Sequence, residues 1–309
     1  MKKFLYYSLL LGLVLSCQGN VKENQSQSAN SDPLTGFWNR VGTIQSVNGK
    51  RIDTIYYSDT KTENFHYHQI KGYIDGSVIF ILNAGDSINN PWKGGAGGYG
   101  KFTSNSKNFV SENFSGGTGG FGAWVKYYKD SLNIPFWNID LKTESTNKSY
   151  QQFMGETTEE YYLKMPAAAP KSDLDGVWKR IYEIIYVNGV PVDTTSVSSD
   201  ALLDVKVMHE GHFIYQVDLT ALNDSDKPQY GGYGAYGKFD YDGKGNLVEY
   251  SQIRSGMGYT PTPKNEKIDG DYKTVSFYNE DLFLQIDKDT LSQGNNGRFR
   301  GLVYKRIKN

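Results

Sequence analysis

Cysteine is nearly absent from this chain: Cys17 stands alone among 309 residues. One thiol excludes an intrachain disulfide framework and a cysteine-rich metal site. A surplus of charge is missing too, since 33 basic residues meet 34 acidic ones for a net charge of −1. Nothing here would neutralise a run of phosphates, so nucleic acid is not an expected partner. Sustained helical apolar periodicity is lacking after the first residues, which argues against a helical bundle. The one nearly continuous apolar run, Phe4 to Leu15, is too short to cross a bilayer. What the chain has instead is aromatics at 14%, led by 24 Tyr, together with 34 Gly. Tyr favours strands, and Gly marks turns, bulges and bends. The composition predicts an all-β protein.

The chain also repeats itself. Leu34-Thr35-Gly36-Phe37-Trp38-Asn39-Arg40 returns as Leu174-Asp175-Gly176-Val177-Trp178-Lys179-Arg180, and Val47-Asn48-Gly49 returns as Val187-Asn188-Gly189. A length near 300 suits two units of about 150 residues. The expected organisation is a leader over 1–16, a polar tether over 17–32, a first unit over 33–165, a linker over 166–172 and a second unit over 173–309. Two prolines bracket three alanines in Pro166–Pro170, so the linker reads as a semi-stiff spacer and the units as beads with limited mutual contact.

Turn signals cut each unit into short strands. Asn48-Gly49, Asp75-Gly76, Asn188-Gly189 and Glu210-Gly211 mark hairpins. In the first unit strands are expected near 40–47, 63–71, 77–82, 97–103, 108–114, 123–128, 136–142 and 159–165. In the second they fall near 180–187, 203–209, 212–219, 236–241, 247–254, 274–278, 282–287 and 301–307. Roughly eight short strands at this spacing fit an up-and-down barrel or a sandwich.

Three patterns hint at chemistry and fail on context. Gly95-Ala96-Gly97-Gly98-Tyr99-Gly100 has dinucleotide spacing, but a strand follows it where a helix is required. His66 and His68 would share a face of a strand, yet no carboxylate at suitable spacing completes a metal site. His209-Glu210-Gly211-His212 has the wrong spacing for a helical zinc motif and sits at a hairpin tip. No metal, no cofactor and no catalytic residue is expected.

The amino end carries a resemblance. Lys2-Lys3, the apolar run and Val14-Leu15-Ser16-Cys17 resemble the lipobox of bacterial lipoproteins. That resemblance implies cleavage before Cys17, lipid on its sulfur, and attachment to the cell envelope, at the outer membrane of a Gram-negative bacterium. Gly36-x-Trp38 and Gly176-x-Trp178 resemble the signature that opens lipocalin and calycin barrels. In that family the Trp lies across the closed end, with a basic side chain from the last strand commonly on its ring. The second unit further resembles an uncharacterised family of bacterial lipocalin-like domains, through His212-Phe213-Ile214-Tyr215, Tyr236-Gly237-Lys238-Phe239 and Val303-Tyr304-Lys305-Arg306.

The expected fold is therefore two tandem lipocalin-like antiparallel up-and-down β-barrels after a lipoprotein signal peptide. The expected function is non-enzymatic binding of a small apolar or amphipathic ligand in a barrel cavity, with Tyr99, Phe213, Tyr215 and Tyr236 as lining residues. The alternative is a structural or protein-interaction module with filled barrels, its partner unknown.

Overall fold

The computed structural model describes residues 32–48, 50–56, 67–84, 95–105, 109–119, 121–122, 125, 137–145, 149–154, 158–197, 203–218, 232–256, 270–287 and 297–308. Residues 1–31, with Cys17 among them, His66 and the side chain of His68 lie outside them. The first unit carries β1 (Gly36–Val47), β2 (Lys50–Tyr56), β3 (Tyr67–Ile74), β4 (Ser77–Ala84), β5 (Ala96–Asn105), β6 (Phe109–Thr118), β7 (Trp137–Ser145), β8 (Ser149–Met154) and β9 (Thr158–Lys164). The second carries β10 (Gly176–Val187), β11 (Val190–Ser196), β12 (Leu203–His209), β13 (His212–Asp218), β14 (Tyr233–Tyr241), β15 (Asn246–Gly256), β16 (Asp271–Asn279), β17 (Leu282–Asp287) and β18 (Arg298–Arg306).

Each set rolls up on itself. β1 pairs with β3 on one edge and with β9 on the other, which closes a ring from β3 through β9. β10 closes the second ring with β12 and β18 in the same way. The ninth strand occupies no new place. β3 pairs with Gly36–Asn39 and β2 with Gly42–Val47, so the two lie end to end along one edge of β1. Both units are all-β antiparallel barrels of eight strand positions.

Local chemistry explains the sharp turns and the curl. Asp75/Gly76, Asn188/Gly189 and Glu210/Gly211 all have both residues at positive φ, between 47° and 81°. That conformation matches the twist of a two-residue hairpin. The glycine-rich strands carry a bulge at the same place, between Tyr99 and Gly100 and between Tyr236 and Gly237. A Cβ on Gly100 would stand 2.0 Å from the Asn113 carbonyl oxygen, and one on Gly237 2.1 Å from that of Tyr250. These glycines allow a close backbone approach where the sheet bends, and the chain runs on as strand in both cases.

Several expectations need correction. Val125 is helical rather than strand, and the rest of the expected strand over 123–128 lies outside the described residues. Phe121 packs edge-on against Phe80 and Phe114, and Val125 lies in the same core cluster. β2, β8 and β11 were not foreseen. The reason is clearest in β11, which is exposed along its whole length and so has no apolar alternation to read.

The largest correction concerns the linker. The barrels are not loosely tethered beads, because one apolar cluster joins them. It holds Phe37, Ile70, Ile74, Ile79 and Ile81 of the first barrel and Val177, Val205, Val207, Ile214 and Ile253 of the second, among others. The linker is also tied down. Met165 donates to the Phe37 carbonyl, and the amides of Ala168 and Ala169 donate to that of Glu210.

Candidate functional site: the two barrel interiors

Both barrels have the same floor. Trp38 and Trp178 are fully buried. Each indole Nε1 donates to the carbonyl four residues back, Leu34 at 2.7 Å and Leu174 at 2.8 Å. Each pairs in register with a base of the last strand, Lys164 or Arg306. That base covers the ring, at 5.5 Å for the Lys164 Nζ and 4.1 Å for the Arg306 guanidinium carbon. Gly36 and Gly176 stand at φ 129° and 138°. A Cβ at Gly176 would lie 2.3 Å from Arg306 Nη1, and one at Gly36 3.0 Å from the Lys164 side chain. The glycine two places before each Trp leaves the gap through which the base reaches its indole.

Above the floor each interior holds a buried polar belt that sequence reading missed. In the first barrel Lys71, only 2% exposed, donates to Glu112 at 3.0 Å and Gln152 at 2.9 Å. Tyr73 also donates to Glu112. Tyr162 donates to Glu160 at 2.7 Å, and Arg40 pairs with Glu160 at 2.9 Å. Burial, joined by these carboxylates, pushes the Tyr73 and Tyr162 hydroxyls well above the usual phenol range. In the second barrel Lys206 donates to Glu249 at 2.5 Å and Gln285 at 2.9 Å. The Lys-Glu-Gln trio is thus present twice, at equivalent strand positions. Buried charges of this kind persist only when paired and hydrogen-bonded.

The barrels part company at the end opposite the Trp. In the first, Phe80, Phe114 and Phe121 make an edge-to-face cluster with ring centroids 4.8–5.7 Å apart. In the second the described residues form a charged rim. Arg180 pairs with Asp204 and, at 3.6 Å, with Glu183. Arg300 reaches Glu183 at 2.6 Å, and Lys273 reaches Asp287 at 2.9 Å. Tyr215 and Tyr233 stand edge to face at 6.1 Å, with Tyr233 45% exposed. Strand register places Thr43, Gln69, Leu141, Met154 and Thr158 of the first barrel where the second has Glu183, Asp204, Lys273, Asp287 and Arg300.

Electrostatics single out this rim. Burial outweighs the pull of Arg180 and raises the Asp204 carboxyl to about 6. Burial draws Lys273 down, but Glu249 and Asp287 more than reverse that, and its ammonium is held charged. Burial, with Glu249 next, raises the Tyr215 hydroxyl to about 12. A perturbed carboxyl in a part-exposed, mixed-charge recess is a functional-site candidate on physical grounds.

The four residues expected to line a ligand cavity divide in two. Phe213 packs on the floor near Trp178, and Tyr215 stands higher in the same interior. Tyr99 and Tyr236 belong to the cluster between the barrels and so face outward. Tyr236 is fixed there by His212 Nδ1 at 3.0 Å, while the other ring nitrogen of His212 meets the Pro166 carbonyl at 2.9 Å. Burial lowers the His212 imidazole below its ordinary range despite that carbonyl. Alternation along β14 gives the reason for the outward placement: Ala235, Gly237 and Phe239 take the inward positions. His209 lies at the β12–β13 turn beside Asp175 at 3.3 Å, and no metal-binding cluster of three occurs among the described residues.

The described strands define a tandem antiparallel β-barrel protein. No family model matches the sequence, and no curated protein matches it. Among solved structures, a protein of unknown function from the DUF3598 family of Nostoc punctiforme is aligned over 89% of this chain and 97% of its own, at 10% identity and a TM-score of 0.21. A likeness that slight carries no argument about fold or function.

Proposed function

We propose that this is a lipocalin-like binding protein of the bacterial cell envelope, anchored by lipid on Cys17, which acts by holding a small amphipathic ligand and not by catalysis. The ligand sits at the rim of the second barrel. Its flat apolar part lies against Tyr215 and Tyr233, and its polar groups meet Arg180, Glu183, Lys273 and Arg300. The observation that supports this reading is the contrast between the barrels: one frame, one floor, but among the described residues a wider, part-exposed charged rim in the second. Charges placed in a recess without need for the frame suit recognition. Residues such as these fix a ligand's orientation while an apolar wall supplies area.

Native mass spectrometry of the protein from its own host tests the reading. The expected result is a reproducible small adduct, lost when the rim is given the first barrel's residues by Lys273→Leu, Asp287→Met and Arg300→Thr. No adduct, or one indifferent to those changes, rejects it. The anchor has its own test: Cys17→Ser should move the protein from the membrane to the soluble fraction, since stable attachment needs the acyl chains.

The first barrel favours a second reading for itself. Its described interior holds a hydrogen-bonded polar belt and packed rings, which suits a barrel that side chains fill. We read it as a structural module that supports its neighbour.

A further inference from the structure

The face that joins the barrels has reciprocal symmetry. Each strand of the first barrel has its counterpart nine places on in the second. β4 lies against β15, and β6 lies against β13, the same contact with the roles exchanged. β5 meets β13 as β4 meets β14, while β3 meets β12 and β4 meets β13, each against its own counterpart; β5 also meets β15, a contact whose reciprocal is weaker. The side chains follow suit: Phe37 and Val177, Ile70 and Val205, Ile79 and Ile214, and Tyr99 and Tyr236 are equivalent pairs, all in the one cluster. Met165 and Ile307, the residues just past each barrel, both pack on its margin. Both also donate backbone hydrogen bonds to equivalent carbonyls, Phe37 and Val177. Contacts in which i meets j and j meets i are the mark of a two-fold, isologous interface.

One buried defect fits these terms. Gln216 reaches across from β13, donating to the Phe80 carbonyl and accepting from the Thr118 hydroxyl at 3.2 Å. The counterpart of Thr118 is Ser255, whose buried hydroxyl has no hydrogen-bond partner among the described residues. The residue that would serve it, the counterpart of Gln216, is Ile81. Space for a longer polar side chain is kept even so. Gly97 is a glycine against the Gln216 amide, where a Cβ would fall 1.8 Å from Nε2, and its counterpart Gly234 is a glycine as well. The second half of a symmetric pair of hydrogen bonds is absent, though a glycine stands at its place beside the Tyr215 carbonyl and the Ser255 hydroxyl.

We propose that this face is a self-pairing surface, whose fitting partner is a second copy of the same barrel. The chain is then a covalently fused dimer, and the face holds without the linker.

The test keeps the whole chain. A protease site is placed at Ala167–Ala169 and cut after folding, and the product is sized over a dilution series. The two fragments should stay together as a 1:1 complex at micromolar concentration; fragments that separate there overturn the proposal. Symmetry itself is tested by two substitutions in the cuttable chain. Gln216→Ile should raise the concentration at which the fragments part by about thirtyfold, the scale of two lost buried hydrogen bonds. Adding Ile81→Gln should recover at least half of that change on a logarithmic scale, because Ser255 then does the work of Thr118. If Ile81→Gln instead deepens the loss, the face is an ordinary interface without two-fold character, and the proposal fails.

Discussion

The first barrel spends its interior on packing, whereas the second keeps charge within reach of water. Both rest on the same indole floor and the same Lys-Glu-Gln belt. Among the described residues the sharpest difference lies above the belt, where Phe80, Phe114 and Phe121 pack together in one and Glu183, Lys273, Asp287 and Arg300 rim the other. Duplicated frames that diverge at one end separate what the fold requires from what a particular copy does. The floor and belt are common and belong to stability. Among the described residues the Glu183, Lys273, Asp287 and Arg300 charges occur in the second barrel, and the rim is where function is sought.

The widest effect should test the floor. Trp38→Ala and Trp178→Ala should each cost about 3–5 kcal/mol, read from urea unfolding, because each deletes a fully buried ring. Clearly unequal losses would break the equivalence of the two floors. The belts should separate more finely. Lys71→Met leaves Glu112 buried with Tyr73 as its remaining described donor, and should cost about 3 kcal/mol. Lys206→Met should cost less, since Glu249 keeps Lys273 at 3.8 Å.

A pH series should set the rims apart. Asp204 has a folded value of about 6 against an ordinary 3.8. A carboxyl raised in the folded state contributes stability that is fully present below the ordinary value and is lost as pH rises through the raised one. The second barrel should therefore weaken between about pH 4 and pH 6, by roughly 2–3 kcal/mol at most. Asp204→Gln, the first barrel's residue at that place, should flatten this slope in urea unfolding measured across pH. The smallest effect lies at the ring covers. Arg306→Ala should cost about 1–2 kcal/mol and Lys164→Ala about half that. Arg306 is nearer its ring and also binds the carbonyls of Asp173 and Asp175.

Much of the frame was legible because it rests on residues with few alternatives. The Gly-x-Trp repeat gave two copies, Asn-Gly and Asp-Gly gave hairpins, and glycine-rich strands gave the bends. The belt and the joining face were not legible, and for one reason. Leu203-Asp204-Val205-Lys206-Val207-Met208 alternates as a half-buried strand should, but the usual assignment of faces is inverted here. Val205 and Val207 face out, against the other barrel, while Asp204 and Lys206 point into the interior. Alternation reveals that two faces differ. It does not reveal which one curls inward when the outer face is covered as well. Tyr99 and Tyr236 were placed in a cavity through the same inversion.

One feature of the topology has a genetic consequence. Each ring starts and finishes at the same corner, with Trp38 opposite Lys164 and Trp178 opposite Arg306. A coding segment that spans such a ring can be copied in tandem without rerouting any strand, because its two ends emerge side by side. Lengthening or shortening the protein by whole rings is thus a matter of recombination between like sequences, open to the genome in a single event.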